Sequence, residues 1–228
     1  MTGQGLDHYQ KLDVDKQDND DALRVVYDEW ATKYDHDNDA TLGTISQPKT
    51  VEILTAVADK DAKILDAGCG TGLVGAELAK RGFKTFDGVD LSPEMLRHAK
   101  KRGYANLFQY SLNDPLPIPD DAYDAIVSAG LFTHGHVKTH AIRELIRIAK
   151  SGGYLCFTIN EGVYHSQGFD KELQSITDDK LWDIKKLEKG AYMTKEQVQA
   201  YYCLAQVRYV LFGVCFYQHL DLLCRHRA

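Results

Sequence analysis

Apolar residues recur along this chain with two alternating periods. Leu23, Val26, Tyr27, Trp30 and Tyr34 return every three or four positions, the spacing of one helix face, and predict an aromatic-striped helix over about 22–36. A second helix is predicted over 48–58, with Pro48 in its first turn and Val51, Leu54 and Val57 inward. From Ile64 onward, short unbroken apolar runs alternate with helical patterns. Strands are predicted from Ile64 to a turn at Gly68, then over 85–89, 107–111, 123–128, 154–160, 181–187 and 207–217. Helices are predicted from Leu73 (Ala76, Leu78 and Ala79 apolar), from Ser92 to about 102, over 137–149 and 170–176, with a helical piece from Thr194. Alternation of this kind implies an α/β fold, a mostly parallel sheet with helices on both faces and right-handed connections. Residues 1–20 are acidic and aperiodic, which predicts a flexible arm ahead of a single domain over 21–228.

The stretch Ile64-Leu65-Asp66-Ala67-Gly68-Cys69-Gly70-Thr71-Gly72 carries the chemistry. A strand runs directly into glycines at alternate positions, which tolerate positive φ and let a ligand approach bare main chain. The helix behind them offers unpaired N–H groups and a positive dipole end. Two readings compete. Gly70-x-Gly72-x-x-Gly75, with Asp90 further on, matches the dinucleotide fingerprint. The frame Asp66-x-Gly68-x-Gly70-x-Gly72 adds an acid at the strand end, which suits a cationic amino group and suits a pyrophosphate poorly. Asp90, at the carboxyl end of the next strand, can accept from both hydroxyls of a ribose, in the region where open α/β sheets bind ligands. Ser92 and Pro93 read as the N-cap and first residue of the helix that follows.

Composition narrows the class. At 228 residues, 44% hydrophobic and 26% charged, the chain reads as one ordinary globular domain. A net charge of −6 argues against a nucleic-acid partner. Five scattered cysteines without a C-x-x-C pair indicate neither a disulfide framework nor a zinc site, and point to a reducing, cytoplasmic compartment. No basic-then-apolar leader is expected at Met1–Gly5, and the longest apolar run, 209–217, is too short to span a bilayer. Asp13-x-Asp15 and Asp35-x-Asp37-x-Asp39 imitate calcium loops, but Asp18 or Ala40 stands where the turn glycine belongs, and Arg24 or Ser46 where the closing glutamate belongs. No metal is expected.

The acid-glycine frame resembles motif I of the class I S-adenosylmethionine-dependent methyltransferases. Tyr27-Asp28-x-Trp30-Ala31-x-x-Tyr34-Asp35, Tyr123–Ser128 and the Lys150-Ser151-Gly152-Gly153 turn resemble their counterparts, so the likeness covers roughly 27–158. A narrower likeness, carried by Gly70-Thr71-Gly72-Leu73-Val74, Tyr34-Asp35 and Pro115-Leu116-Pro117, is to one methyltransferase-like branch of that class. The resemblance implies a Rossmann-like seven-stranded sheet with its last strand antiparallel, and S-adenosyl-L-methionine as cofactor. It implies that Asp66, Gly68, Cys69, Gly70, Thr71 and Gly72 form the cofactor turn, with Asp90 at the ribose and Leu91 and Met95 also binding cofactor. Tyr34 and the 22–36 helix would act as a lid, and Ser128 is a further cofactor-binding residue. Many relatives carry an acid where Leu112 stands, so adenine would be read by main chain at Ser111 and Leu112, or by Asn113 or Asp114.

The fourth strand ends in Ala129-Gly130-Leu131, not in the N/D-P-P-Y of amino-methylating nucleic-acid enzymes. The expected activity is methyl transfer to a small-molecule acceptor by in-line displacement. The alternatives are transfer to a protein or RNA partner, a non-catalytic cofactor-binding module, or a dehydrogenase. The acceptor pocket is expected from the lid, the 130–136 loop and a cap over 160–190, where Tyr164 and His165 lie. His134, and after it His136, is the candidate general base if the acceptor carries a proton.

Overall fold

Strand β1 (Ile64–Ala67) is buried along its whole length, with Ile64 facing one hydrophobic layer and Leu65 the opposite one. That two-sided burial follows from its uninterrupted apolar run and from helices covering both faces of a parallel sheet. The computed structural model describes residues 20–208. The remaining strands are β2 (Phe86–Asp90), β3 (Leu107–Gln109), β4 (Tyr123–Phe132), β5 (Ala149–Asn160), β6 (Trp182–Met193) and β7 (Val198–Val207). They form one seven-stranded sheet in the order β3-β2-β1-β4-β5-β7-β6. The first five strands run parallel, and β7 is antiparallel to both β5 and β6. The Rossmann-like fold expected from the sequence is the fold found.

Helices α1 (Asp20–Trp30), α2 (Tyr34–His36), α3 (Ser46–Thr55), α4 (Leu73–Lys80), α5 (Pro93–Ala99), α6 (Ala141–Ile148), α7 (Glu161–Tyr164) and α8 (Phe169–Asp178) complete the chain order. One core layer joins Leu65, Ile126, Leu155 and Phe157 to Ile142, Leu145 and Ile146 of α6 and to Phe169 of α8. The other joins Ile64, Val127 and Cys156 to Val51 and Leu54 of α3 and Val74 and Leu78 of α4. Each such Leu or Ile, fully buried, stabilises the fold by about 1.5–3 kcal/mol. No helix among the described residues is long and apolar enough to cross a membrane.

Several expectations are corrected. The lid helix stops at Trp30 instead of running to Asp35; a turn, α2 and a π-helical segment (Asp37–Leu42) follow. Trp30 donates its Nε1–H to the buried carboxylate of Asp37 at 2.8 Å, which folds the chain back on itself. Gly43 closes the π-helix at φ +61°, where an added Cβ would lie 2.5 Å from Thr194 Oγ1. Val57 lies beyond the end of α3 and is exposed, and Ala79 of α4 is exposed while Val74 is buried in its place. The helix expected from 137 begins at Ala141.

The helical piece expected from Thr194 is a hairpin turn, with Gln197 at φ +55°. The ladder from Trp182↔Val207 to Met193↔Val198 claims both flanks of that turn, and Thr194 N–H and Lys195 N–H donate to the carbonyls of Gly43 and Leu42. Non-local pairing therefore overrides the local helical preference of Thr194–Gln197. Strand seven is accordingly Val198–Val207, not 207–217. The expected acidic arm and the stretch from 209 onward lie outside the described residues.

Candidate active site

The sheet order reverses between β1 and β4, and the crevice at the carboxyl ends of these strands is where a doubly wound fold holds its ligand. The turn leaving β1 reaches that crevice through three glycines in left-handed conformation: Gly68 (φ +74°), Gly70 (φ +52°) and Gly72 (φ +92°). Two of them serve different ends. A Cβ on Gly72 would lie 2.8 Å from the Tyr104 ring, so this position is needed for packing. A Cβ on Gly70 would meet nothing nearer than Tyr34 Cε1 at 3.9 Å, so this position opens toward the cavity under the lid.

Asp90, at the end of β2, ties the turn to the next helix. Its Oδ2 accepts from Gly70 N–H at 2.8 Å and its Oδ1 from Ser92 N–H at 2.9 Å. A carboxylate has about four lone-pair sites, so Asp90 keeps acceptor capacity for a ligand. Ser92 caps α5 as expected, its Oγ accepting from Met95 N–H at 3.0 Å. Burial raises the Asp90 pKa despite these main-chain donors.

Asp66 is fully buried behind the turn. Tyr104 Oη donates to its Oδ2 at 2.5 Å and accepts from Gly75 N–H at 3.0 Å, while Oδ1 has no hydrogen-bond partner among the described residues. Burial, partly offset by the Tyr104 hydrogen bond and reinforced by the Asp90 charge, pushes the Asp66 carboxyl up to about 7. Burial and the same two carboxylates push the Cys69 thiol well above its ordinary range, so it supplies no thiolate nucleophile.

The cavity has about 670 Å3 of non-protein space, mouth included, within the span of small-molecule sites. Its wall is mostly apolar, with Leu23, Leu91, Met95, Tyr110, Leu112, Leu131 and Val137 beside the half-buried rings of Tyr27 and Tyr34. Two carboxylates, Asp20 and Asp90, line it, and no lysine or arginine does among the described residues. The N-terminal segment closes over this space by its acids. Asp20 accepts from Ser111 Oγ and, at 2.9 Å, from Asn113 Nδ2. Asp28 accepts from Ser92 Oγ at 2.5 Å, and Asp35 from Thr71 Oγ1 at 2.5 Å and from Arg102. Two acids of the run that imitates a calcium loop, Asp35 and Asp37, are thus spent on docking and on the Trp30 contact.

Of the residues singled out from the sequence, Tyr34, Gly68, Gly70, Asp90, Leu91, Met95, Ser111 and Leu112 line the cavity. Asp66, Cys69, Thr71, Gly72 and Ser128 stand behind that wall; Ser128 Oγ donates to the Ala67 carbonyl at 2.7 Å and pins β4 to β1. The two histidines change places. His136 lines the cavity, whereas the exposed His134 ring lies against Gly162, whose added Cβ would be 2.5 Å from His134 Nε2.

No residue of 160–190 lines the cavity: Tyr164 stacks on Tyr201 at 3.7 Å, and His165 Nδ1 lies 2.8 Å from Asp170 Oδ2. Asp114 is likewise off the wall, while Asn113 is on it. The expected lid and 130–136 loop do contribute Leu23, Gly130 and Leu131 to the wall; sequence reasoning missed Asp20, Tyr110 and Val137, and it missed Tyr104, whose role no local spacing announces. Among the described residues no group of three or more His, Cys, Asp or Glu could hold a metal ion.

Comparison with known proteins agrees with this geometry. A family profile described as "Methyltransferase domain" matches residues 64–153. Methyltransferase-like protein 27 of Homo sapiens is 36% identical over 165 residues, covering 69% of this chain and 66% of the human protein. The demethylmenaquinone methyltransferase of Chlorobaculum parvum is 32% identical, covering 58% of this chain and 57% of its own length. The chain thus spans about two thirds or less of these relatives. Among solved structures, a chain of the complex between the Haloferax volcanii Trm112 methyltransferase activator and a methyltransferase superposes with a TM-score of 0.62 at 18% identity, covering 80% of this chain and 98% of that one. A TehB-like S-adenosylmethionine-dependent methyltransferase from Corynebacterium glutamicum gives 0.58 at 21% identity, covering 81% and 99%. These structural likenesses establish the fold.

Proposed function

We propose that this chain, which belongs to the class I S-adenosylmethionine-dependent methyltransferases, transfers a methyl group from S-adenosyl-L-methionine to a small-molecule acceptor by in-line displacement. The observation that carries the reading is the cavity: enclosed by a docked aromatic helix, mostly apolar, lined by two carboxylates and by no cation among the described residues. Such a wall favours a cationic or neutral ligand and disfavours the pyrophosphate of a dinucleotide. Its closure by Tyr27 and Tyr34 leaves room for a small molecule under the lid.

The residues present fit the cofactor. Asp90 keeps acceptor capacity for a ribose hydroxyl, and the space over Gly70 admits close approach to main chain. The unpartnered Asp66 Oδ1 places further negative capacity behind the turn. We assign the ribose to Asp90 and Leu91, the methionine end to Gly68–Gly70 with Tyr34, and the base to Met95, Tyr110, Ser111 and Leu112. Asp66, Cys69, Thr71, Gly72 and Ser128 hold that surface in shape. The Ser111 and Asn113 side chains are engaged by Asp20, which leaves main chain at Ser111 and Leu112 to read the base edge.

When bound, the cofactor supplies an electrophilic methyl on a sulfonium. The protein's part is to align acceptor with donor at about 3–3.5 Å and to exclude water. Helix α1 does the second by burying the cavity mouth. Calorimetry tests the reading: S-adenosylmethionine and S-adenosylhomocysteine should bind at about 1 μM or tighter, and NAD should not bind. A screen of metabolite pools with labelled donor then identifies the acceptor. Labelling of protein or RNA, with no small product, would replace the small-molecule reading by the macromolecular one.

A further inference from the structure

We propose that Asp20 reads the exocyclic amine of the cofactor's base, so that docking of helix α1 over the cavity is strengthened only by an aminopurine. The inference rests on the methyltransferase reading above and adds to it a base-selecting side chain carried by the lid. The main chain already assigned at Ser111 and Leu112 keeps the ring nitrogens. Asp20 lies outside the stretch matched by the family profile, which covers 64–153.

The hydrogens of this corner run toward one carboxylate. Lys138 N–H donates to Asn113 Oδ1 at 3.0 Å, and Asn113 Nδ2 donates to Asp20 Oδ1 at 2.9 Å. Asn113 N–H donates to Ser111 Oγ at 3.1 Å, and that hydroxyl donates in turn to Asp20 Oδ2. The Ser111 hydrogen is therefore spent, and the Asn113 amide is engaged at both ends. What the corner presents to the cavity is the remaining acceptor capacity of Asp20, two of whose roughly four lone-pair sites are used.

Asp21 shows what an acid at this helix start does otherwise. Both acids stand in the first turn of α1, where negative charge complements the helix dipole. Asp21 does so with its side chain fully in solvent, whereas Asp20 is turned onto the cavity wall. That wall is mostly apolar and carries no lysine or arginine among the described residues, so a ligand that donates to Asp20 is favoured. Met95, Tyr110 and Leu112, assigned above to the base, line the same cavity, and Ser111 joins Asp20 to them. An exocyclic amine on the base gives the carboxylate a further N–H donor. An oxo group in its place would set lone pairs against the charge.

The test titrates the full chain by calorimetry with S-adenosylhomocysteine and with its deamino analogue, which carries unsubstituted purine in place of adenine and keeps every ring nitrogen. A hydrogen bond to a charged group predicts that the wild type prefers the adenine form by about 10- to 100-fold. Asp20→Ala should bring the two ligands within about 3-fold of each other, chiefly by weakening the adenine form. Asp20→Asn, whose amide oxygen still accepts, should retain a preference of about 3- to 10-fold. Hydrogen exchange over 20–26 should be slowed more by saturating S-adenosylhomocysteine than by the saturating analogue in the wild type, and equally by both in Asp20→Ala.

Equal affinities in the wild type, a measurement that needs no variant to fold, overturn the proposal. So does an Asp20→Ala variant that weakens both ligands alike, the result a purely structural clamp would give, or one that keeps the wild-type preference. If neither ligand binds the wild type, the methyltransferase reading falls and the proposal falls with it.

Discussion

Tyr104 Oη lies 2.5 Å from Asp66 Oδ2 and 3.0 Å from the Gly75 N–H, so one phenol props the glycine turn from behind. Its ring fills the space that Gly72, Gly75 and Gly88 leave open. The third glycine of the apparent dinucleotide fingerprint therefore makes room for a side chain from the segment before β3, with no pyrophosphate involved. The acid, the tyrosine and the turn form one unit, and substitutions within it should be coupled.

Asp66 should make stability depend on pH. Its folded pKa of about 7 stands above the ordinary carboxyl value of 3.8, so the folded state binds the proton more tightly. The resulting stabilisation is fully present below pH 3.8 and is lost as pH rises through 7. Asp66→Asn, which can still accept from Tyr104, removes this titration. Denaturant unfolding from pH 4 to 8 should show the variant gaining on wild type, by at most roughly 4 kcal/mol at the upper end. A pH-independent difference would mean that the buried carboxyl titrates normally.

Gly75→Ala weighs two opposed effects. Alanine gains up to about 1 kcal/mol of helix propensity over glycine. Its Cβ, however, would sit 2.4 Å from Tyr104 Cζ, and the hydroxyl tether keeps that ring from moving away. Overpacking costs about 1–3 kcal/mol, so a net loss of up to about 2 kcal/mol is expected. In a Tyr104→Ala background the same substitution should become neutral or favourable, which a double-mutant cycle measures.

Asp90→Ala should weaken S-adenosylhomocysteine binding by about 10- to 100-fold, the worth of a charged hydrogen-bond acceptor lost from the ribose site. Calorimetry reads this directly. Unchanged affinity would remove Asp90 from the cofactor site.

Asp28→Ala should loosen the lid. The side chain accepts from Ser92 Oγ at 2.5 Å and pairs with Arg24 at 3.1 Å, and it contributes one of the three acid clamps on the N-terminal segment. Hydrogen exchange over 20–36 should speed up by about 10-fold or more. In the wild type, S-adenosylhomocysteine should slow exchange over 22–36, because the ligand adds surface for Tyr27 and Tyr34 to cover. Equal protection with and without ligand would make this segment ordinary core.

His134→Ala should leave cofactor affinity unchanged and lower turnover by less than the roughly 10²-fold that loss of a true general base produces. Its exposed ring rests against Gly162 and does not line the cavity. A larger loss, once the acceptor is known, would return the proton-transfer role to His134.

By itself the sequence determined the sheet, the turn and the family. The apolar runs at Ile64, Phe86 and Tyr123, each followed by a helical pattern, leave a parallel sheet as the arrangement that buries both strand faces. The Asp66-to-Gly72 frame was legible because its spacing is local: a strand end, a turn and a helix start lie within nine residues, and Asp90 was legible as the acid ending the next apolar run. What only the tertiary structure decided depends on contacts between distant segments. Thr194–Gln197 reads as a helix start, yet the β6–β7 ladder makes it a hairpin. His134 and His136 are indistinguishable in a five-residue loop; a single turn of backbone sends one ring to Gly162 and the other to Tyr27 Oη, 109 residues away in the chain. Tyr104 is one aromatic among many until the fold sets it between Asp66 and Gly75. A hydrophobic period reports which face of an element is buried, and only the packed chain decides which polar groups, far apart in sequence, that burial forces to become partners.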